Sequence, residues 1–141
     1  MPSCVASIDA GTTSVRCIIF SSTAAVLASH QLEFTQYFTH PGWQEQDAHE
    51  IVDKCHACIE EACKQLQELS KKEGEEYKVE VIGITNQRET TVVWDKKTGK
   101  ALTRAIAWPD TRTTQTVREL SKKSKKGVDA VKEETGLPLC K

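Results

Sequence analysis

Residues 4–20 read Cys-Val-Ala-Ser-Ile-Asp-Ala-Gly-Thr-Thr-Ser-Val-Arg-Cys-Ile-Ile-Phe and hold two β-rich runs on either side of a turn. The runs cover 4–9 and 15–20, and the small and polar residues 10–14 between them have the composition of a turn, so the stretch predicts a β-hairpin. A third run, 25–34, has one partly apolar face. We therefore predict three consecutive antiparallel strands at the start of the fold.

An amphipathic helix is predicted after these strands. Asp47, followed three residues later by Glu50, resembles a capping box. Apolar side chains then recur on one helical face, at Ile51, Cys55, Cys58, Ile59, Ala62, Leu66 and Leu69. Residues 71–76 end the helix with charge and a glycine, and the β-branched run 79–84 is typical of a strand buried on both faces. The order of elements indicates an α/β fold.

The remaining residues predict smaller elements. Residues 92–94 and 101–102 flank a turn and form a second hairpin, and 105–108 form a short strand. A polar helix is expected to start near Asp110, to carry Val117 and Leu120 inward, and to end at the lysine-rich run 122–127. Since no Pro/Gly/Ser-rich linker interrupts the chain, we predict one domain or part of one.

Composition narrows the class of protein. The 141 residues carry 19 Lys and Arg against 20 Asp and Glu, a net charge of −1, which disfavours a nucleic-acid-binding domain. No segment resembles a signal peptide or a membrane span, and most of the six cysteines lie in apolar segments. We expect a cytoplasmic protein with reduced thiols and a small-molecule or protein partner.

The first candidate site is the turn between the first two strands. Gly11 allows close backbone approach, Thr12, Thr13 and Ser14 offer hydroxyls, and Arg16 can balance phosphate charge. The preceding strand ends in Asp9, whose carboxylate can hold a hydrated Mg²⁺. The alternative is an ordinary hairpin turn with no ligand.

The second candidate site is the polar run 85–91, which follows the predicted buried strand. Ligands of open α/β sheets bind at that end of the strands. A buried pair of Arg88 and Glu89 would supply both donors and acceptors, which suits a polyhydroxyl substrate. The alternative is a solvated loop with an ion pair.

Trp108 is the third candidate, because an indole at a strand end can cover the carbon face of a small polyol; core packing is the alternative.

Asp110 and Arg112 favour helix capping and ion pairing over catalysis. Cys55 and Cys58 have the spacing of a redox or zinc motif, but they lie in mid-helix on the apolar face and are interpreted as structural.

These motifs resemble the amino-terminal part of the FGGY carbohydrate kinases, and among them the glycerol kinase branch. The resemblance rests on segments 7–16, 41–47, 83–95, 108–113 and 135–139, which stand in the family's order and span nearly the whole chain. Gln87-Arg88-Glu89 is of the glycerol type and differs from the Gln-Met-His type of the xylulose kinases.

The resemblance implies an actin-like or ribonuclease-H-like fold in which residues 1–141 are the first part of the domain and a second actin-like domain is absent. It implies a truncated chain that is inactive alone, with the general base beyond Lys141, so no catalytic residue is assigned. A homo-oligomer is expected of the full-length protein.

The resemblance further implies ATP-dependent phosphorylation of glycerol. Asp9 would bind Mg²⁺, and glycerol would contact Arg88, Glu89 and Trp108. The ATP phosphates would meet Thr12, Thr13, Ser14 and Arg16. Two alternatives stay open, namely a non-catalytic actin-like binding module and a kinase for another polyol or sugar.

Overall fold

The structure, a computed structural model, describes residues 1–140. Seven strands are formed: β1 Ser3–Ala10, β2 Ser14–Ser21, β3 Val26–Glu33, β4 Gln36–Tyr37, β5 Glu45–Gln46, β6 Lys78–Asn86 and β7 Ala105–Ile106. The helices are α1 Ala48–Glu73, α2 Thr114–Lys123 and α3 Lys132–Thr135, with a 3-10 turn at Gly127–Asp129. The three opening strands, the long helix and the strand after it are confirmed.

The main sheet has the order β3-β2-β1-β6. β1 pairs antiparallel with β2, and β2 antiparallel with β3, whereas β6 lies parallel to β1. The parallel pair arises because α1 carries the chain back across the sheet between β3 and β6. The carboxyl ends of β1 and β6 therefore meet at one edge.

Helix α1 covers one face of this sheet, mainly over β2 and β3. Alternate residues of β1 and β2 point toward it, and Cys58, Ala62 and Leu66 of α1 are buried against them. The sheet contributes Cys4, Ala6, Ile8, Val15, Cys17, Ile19 and Ala28 to this core. The opposite sheet face carries the polar side chains Ser7, Asp9 and Arg16.

The predicted helix start is confirmed in part. Asp47 caps α1, its carboxylate accepting the backbone N–H groups of His49 and Glu50. The Glu50 carboxylate does not complete a capping box. It accepts instead the backbone N–H of Thr35 at 3.2 and 3.3 Å, because the connection after β3 passes over this end of the helix.

The prediction that 79–84 is buried on both faces was wrong. Within residues 1–140, β6 is an edge strand with β1 on one side, and α1 lies mainly over β2 and β3. Val81, Ile82 and Ile84 are consequently 58, 52 and 75% exposed. A dense β-branched run identified the strand correctly but did not identify its neighbours.

A small second sheet has the order β4-β5-β7 and joins residues from before α1 to residues from after β6. The predicted hairpin is present as a single antiparallel bridge between Trp94 and Ala101. β7 is shorter than the predicted strand 105–108, and α2 begins four residues later than expected. Leu120 is 45% exposed, contrary to its predicted inward position, because the main contact of α2 is with the 3-10 turn that follows it.

Candidate functional site

The candidate site forms where the carboxyl ends of β1 and β6 adjoin. Asp9 pairs with Thr85 and Ala10 with Asn86, and the backbone N–H of Gln87 donates to the Ala10 carbonyl at 2.9 Å. The turn after β1 and the loop after β6 are thereby fixed side by side. The first two candidate sites of the sequence are one site in the structure.

The turn between β1 and β2 is compact. The Gly11 N–H donates to the Ser14 carbonyl at 3.0 Å, and a Cβ on Gly11 would lie 3.3 Å from that same oxygen, tighter than an ordinary contact. The carbonyls of Thr12 and Thr13 point into the protein, where they accept from Gln46 Nε2 at 2.8 Å and from the Phe34 N–H at 3.2 Å. These two hydrogen bonds anchor the β1–β2 turn to the interior of the protein.

Asp9 and Arg16 are cross-strand partners on the exposed sheet face. Arg16 Nε donates to Gln31 Oε1 at 2.8 Å, and Gln31 Nε2 donates to Ser14 Oγ at 3.0 Å. Gln31 thus joins two of the predicted phosphate ligands, a contact that no sequence pattern indicated. Within residues 1–140 the Asp9 carboxylate makes no ion pair and belongs to no cluster of three metal-ligating side chains.

A lone carboxylate fits Mg²⁺ better than it fits a fully protein-ligated metal. Mg²⁺ usually keeps several waters and is held by one or two carboxylates together with substrate phosphates. Asp9 is exposed, and its Oδ1 lies 3.9 Å from where a Cβ on Gly11 would stand, so the carboxylate reaches toward the turn. The residues present fit that donor set.

The loop after β6 departs from expectation in one respect. Arg88 and Glu89 are exposed, so the predicted buried pair is wrong, and in the part of the chain that the structure describes they form no ion pair with each other. Glu89 has a φ of 63°, a left-handed conformation that is uncommon for a residue other than glycine. Both side chains face solvent at the carboxyl end of the sheet because β6 ends at Asn86.

Trp108 joins the same site. It lies two residues beyond β7, its indole Nε1 donates to Thr12 Oγ1 at 2.9 Å, and its backbone N–H donates to Thr90 Oγ1 at 3.2 Å. Trp108 is 52% exposed, so it does not belong to the core that residues 1–140 form. All three candidate regions of the sequence therefore converge.

Asp110 and Arg112 anchor the segment that carries Trp108. Arg112 donates through Nε and Nη2 to the two Asp110 oxygens at 2.9 Å each, and through Nη2 to Glu45 at 2.9 Å. Its guanidinium carbon lies 3.7 Å from the centroid of the Trp43 ring. Ion pairing is confirmed, whereas helix capping is wrong, since α2 begins after Thr113.

Asp110 is held in its ionised form. Burial by itself raises the pKa of this carboxyl, but hydrogen bonds from Arg112 and from the Gln44 N–H outweigh burial and leave the pKa below its usual range. The hydrogen bonds that Arg112 donates to Asp110 and to Glu45 raise the pKa of the guanidinium. Through its hydrogen bonds to Gln44 and Glu45, this ion pair fixes the segment that carries Trp108 against the strand β5 region.

Cys55 and Cys58 are structural, as predicted. The Cys58 thiol is fully buried and donates to the Val15 carbonyl at 3.4 Å. Burial raises the pKa of both thiols, which disfavours a thiolate nucleophile. No group of three or more His, Cys, Asp or Glu side chains among residues 1–140 could hold a metal ion.

Sequence reasoning gave no role to Gln36 and Gln46, and it placed Gln87 only within the polar run 85–91. These three glutamines lie behind the site, and Gln46 is completely buried. A glutamine gives no periodic signal, and the bond from Gln87 to Gln46 joins residues 41 positions apart. Only the folded chain brings them together.

The arrangement defines a class of protein. A three-stranded antiparallel ribbon extended by a parallel strand and covered by α1, with polar turns at the shared strand ends, is the opening part of an actin-like ATPase fold. No helix within the described residues has the length and apolar character to cross a membrane.

Comparison with known proteins narrows the class. Residues 4–141 match the amino-terminal domain model of the FGGY family of carbohydrate kinases. The chain is 46% identical over 125 residues to a probable glycerol kinase of Dictyostelium discoideum and 43% identical over 139 residues to a glycerol kinase of Arabidopsis thaliana. These matches cover 89 and 96% of the chain but 23 and 26% of those relatives.

Solved structures of carbohydrate kinases have a similar fold. A glycerol kinase of Plasmodium falciparum, crystallised with ADP, superposes with a TM-score of 0.84 at 33% identity, and a xylulose kinase of Rhodospirillum rubrum with a TM-score of 0.84 at 26% identity. The matches cover 99 and 97% of the chain and 26% of each solved chain. The chain belongs to the FGGY family of carbohydrate kinases and spans about a quarter of the length of the curated relatives it matches.

Proposed function

We propose that residues 1–141 carry the phosphate-binding turn and part of the acceptor site of an ATP-dependent glycerol kinase. The observation that carries the proposal is the hydrogen bond from Trp108 Nε1 to Thr12 Oγ1, because it sets the candidate acceptor residue against the candidate phosphate turn. Identities of 41–47% to glycerol kinases over most of the chain support glycerol as the acceptor.

On the nucleotide side, the turn offers backbone N–H groups together with the hydroxyls of Thr12, Thr13 and Ser14. Arg16 would add positive charge once its guanidinium turns from Gln31 toward a phosphate. Asp9 would hold a hydrated Mg²⁺, which neutralises phosphate charge when bound. The inner anchoring of the turn supports this role, because a fixed set of donors binds an anion at a lower entropic cost.

On the acceptor side, Arg88 and Glu89 would bind glycerol hydroxyls as donor and acceptor, and the exposed Trp108 ring would cover the carbon atoms. The glycerol oxygen would attack the γ-phosphorus while the bond from that phosphorus to the β–γ bridging oxygen breaks. Positioning and charge neutralisation account for most of the acceleration of such transfers.

The proton lost by glycerol needs a general base. Glu89 is assigned to substrate binding, so we place the base in the portion of the longer relatives that this chain does not span. Residues 1–141 then form the amino-terminal part of the actin-like domain, and we expect no turnover from them alone.

Titration of the ¹⁵N-labelled chain with Mg·ATP and then with glycerol tests the proposal. We expect Mg·ATP to shift the backbone amide signals of residues 11–14 and glycerol to shift the Trp108 indole signal. Arg88→Gln should weaken glycerol binding by about tenfold or more, as expected for a lost charged hydrogen bond. The matched control is Arg118→Gln, on the exposed side of α2, which should leave binding unchanged.

Two outcomes of this titration would contradict the assignment as a glycerol kinase and favour one of the alternatives. A stronger response to D-xylulose than to glycerol would favour a sugar kinase, which the 26% identical xylulose kinase fold supports. Glycerol binding without any response to Mg·ATP would favour a non-catalytic binding module.

A further inference from the structure

Gln46 links two walls of the candidate site through a single buried amide. None of its surface is exposed. Its Nε2 donates to the Thr12 carbonyl at 2.8 Å and to Gln36 Oε1 at 3.0 Å, and its Oε1 accepts from Gln87 Nε2 at 2.7 Å. One side chain therefore contacts both the phosphate turn and the loop after β6.

The contacts continue into a closed ring of hydrogen bonds. Gln87 Oε1 accepts from Thr90 Oγ1 at 3.0 Å, and that hydroxyl oxygen accepts from the Trp108 backbone N–H at 3.2 Å. Trp108 Nε1 then donates to Thr12 Oγ1 at 2.9 Å, which returns the path to Thr12. The ring consists of Thr12, Gln46, Gln87, Thr90 and Trp108.

The ring permits only one orientation of the Gln46 amide. The reversed amide would set its oxygen against the Thr12 carbonyl oxygen and its NH₂ group against the NH₂ of Gln87. Because the side chain is sealed from solvent, water cannot replace a lost partner, and a buried polar group without a partner is costly. Because breaking the ring would leave such a group without a partner, we expect Thr12, Gln46 and Gln87 to keep their relative positions.

We propose that Gln46 is a positioning residue that holds the phosphate turn, the loop 87–91 and Trp108 in one arrangement. As a consequence, a ligand that binds the turn also changes the environment of the loop. The positioning follows from the geometry, while the identity of the ligand rests on the proposed function. Gln46 lies behind the site and contacts no proposed ligand, so its effect reaches the ligands only through Thr12 and Gln87.

The ligand-free chain tests the positioning. The Trp108 indole proton can be recognised among the three tryptophans by its loss in Trp108→Phe. Gln46→Met keeps the side-chain length and removes all three hydrogen bonds of the amide. In this variant we expect the indole proton to exchange with water about tenfold faster, although the indole nitrogen bonds to Thr12 and not to Gln46. Unchanged exchange would overturn the inference.

Gln44→Met is the matched control. Gln44 lies two residues away and its Nε2 also donates to Gln36 Oε1, at 3.1 Å, but it stands outside the ring. We expect exchange within twofold of the wild type. An equal acceleration in Gln44→Met would show general loosening of the small sheet and would also overturn the inference. If Gln46→Met does not fold, Gln87→Met interrupts the same ring from a half-buried position and should give the same acceleration.

Mg·ATP then separates this inference from the proposed function. In the wild type, nucleotide on the turn should shift the Gln87 and Thr90 amide signals. In Gln46→Met those remote shifts should disappear while the signals of residues 11–14 still respond. If Mg·ATP shifts no amide signal in the wild type, the nucleotide assignment is contradicted. The exchange rate of the Trp108 indole proton in the ligand-free chain still tests the positioning role. Remote shifts that persist in Gln46→Met would overturn the coupling.

Discussion

The indole nitrogen of Trp108 lies 2.9 Å from the hydroxyl oxygen of Thr12, although 96 residues separate them in the chain. One residue belongs to the turn after the first strand, the other to the segment after the last strand of the small sheet. Their contact joins two regions that are separate motifs in the sequence into one candidate site.

Thr12→Val should release the indole without unfolding the chain. Because Trp108 is 52% exposed, water can take over the lost hydrogen bond, so the free energy of unfolding should fall by about 0.5–1.5 kcal/mol. Tryptophan emission should move to longer wavelength as the ring separates from the turn. Thr13→Val, the exposed neighbour, is the control, and an emission shift in the control as large as in Thr12→Val would contradict the assignment.

Asp110→Asn should destabilise the fold, because it removes one of the two carboxylates that bind the Arg112 guanidinium, in a site where the Asp110 side chain is 3% exposed. Breaking a buried ion pair by removing one partner costs about 3–5 kcal/mol. The exposed Asp129→Asn, which lies 3.6 Å from Lys132, should cost less than about 1 kcal/mol. Urea unfolding at pH 7 measures both.

The same carboxylate predicts a dependence of stability on pH. The pKa of Asp110 is lower in the folded protein than its ordinary value of 3.8, so the unfolded chain binds a proton more readily. Its contribution to stability is therefore complete above about pH 5 and is lost as the pH falls below 3.8 through the folded pKa. Asp110→Asn should flatten this acid limb, and an unaltered slope would contradict the assignment.

Gly42→Ala should destabilise the loop that leads to α1. Gly42 has a φ of 78°, and an added Cβ would clash with Thr111 Oγ1. Gly99→Ala has a similar φ of 73° with nothing within 4 Å and should cost only the left-handed strain, about 1–2 kcal/mol. Gly42→Ala should cost about 1–3 kcal/mol more, as an overpacked site does. Equal thermal shifts in the two variants would rule out the clash.

Ile84→Val and Ile19→Val compare an exposed with a buried isoleucine in one sheet. Ile19 is 1% exposed and should lose about 0.5–1.5 kcal/mol. Ile84 is 75% exposed and should change the free energy of unfolding by less than about 0.5 kcal/mol. A large loss in Ile84→Val would mean that β6 is covered in solution.

The predictions from sequence succeeded where a signal is local. The hairpin β1–β2 followed from two β-rich runs around Gly11, and α1 followed from a capping aspartate before a helical apolar stripe. Both depend on residues a few positions apart, so each element carries its own evidence. Thr12, Arg88 and Trp108, whose roles in the site are proposals, were likewise selected as motifs at strand ends.

The errors share one cause, which is that burial depends on partners distant in the chain. The run 79–84 and Leu120 were expected inside because they are apolar. Within residues 1–140, however, β6 is at the edge of the sheet, and the main contact of α2 is with the turn after it. Glu50 was expected to complete a capping box, but Thr35 offered its N–H instead. The small sheet escaped prediction because β4, β5 and β7 have only two residues each.

By itself, the sequence determined the order of the main elements, the family and the chemistry of the residues at the strand ends, because propensity, spacing and motif are properties of neighbouring residues. Tertiary structure decided which of those residues meet. The parallel alignment of β6 with β1 brought Gln87 beside Ala10, and the small sheet brought Gln46 beneath Thr12 and Trp108 above it. Hydrogen bonds across 34 and 96 residues form only after the chain has folded, so no local pattern encodes them.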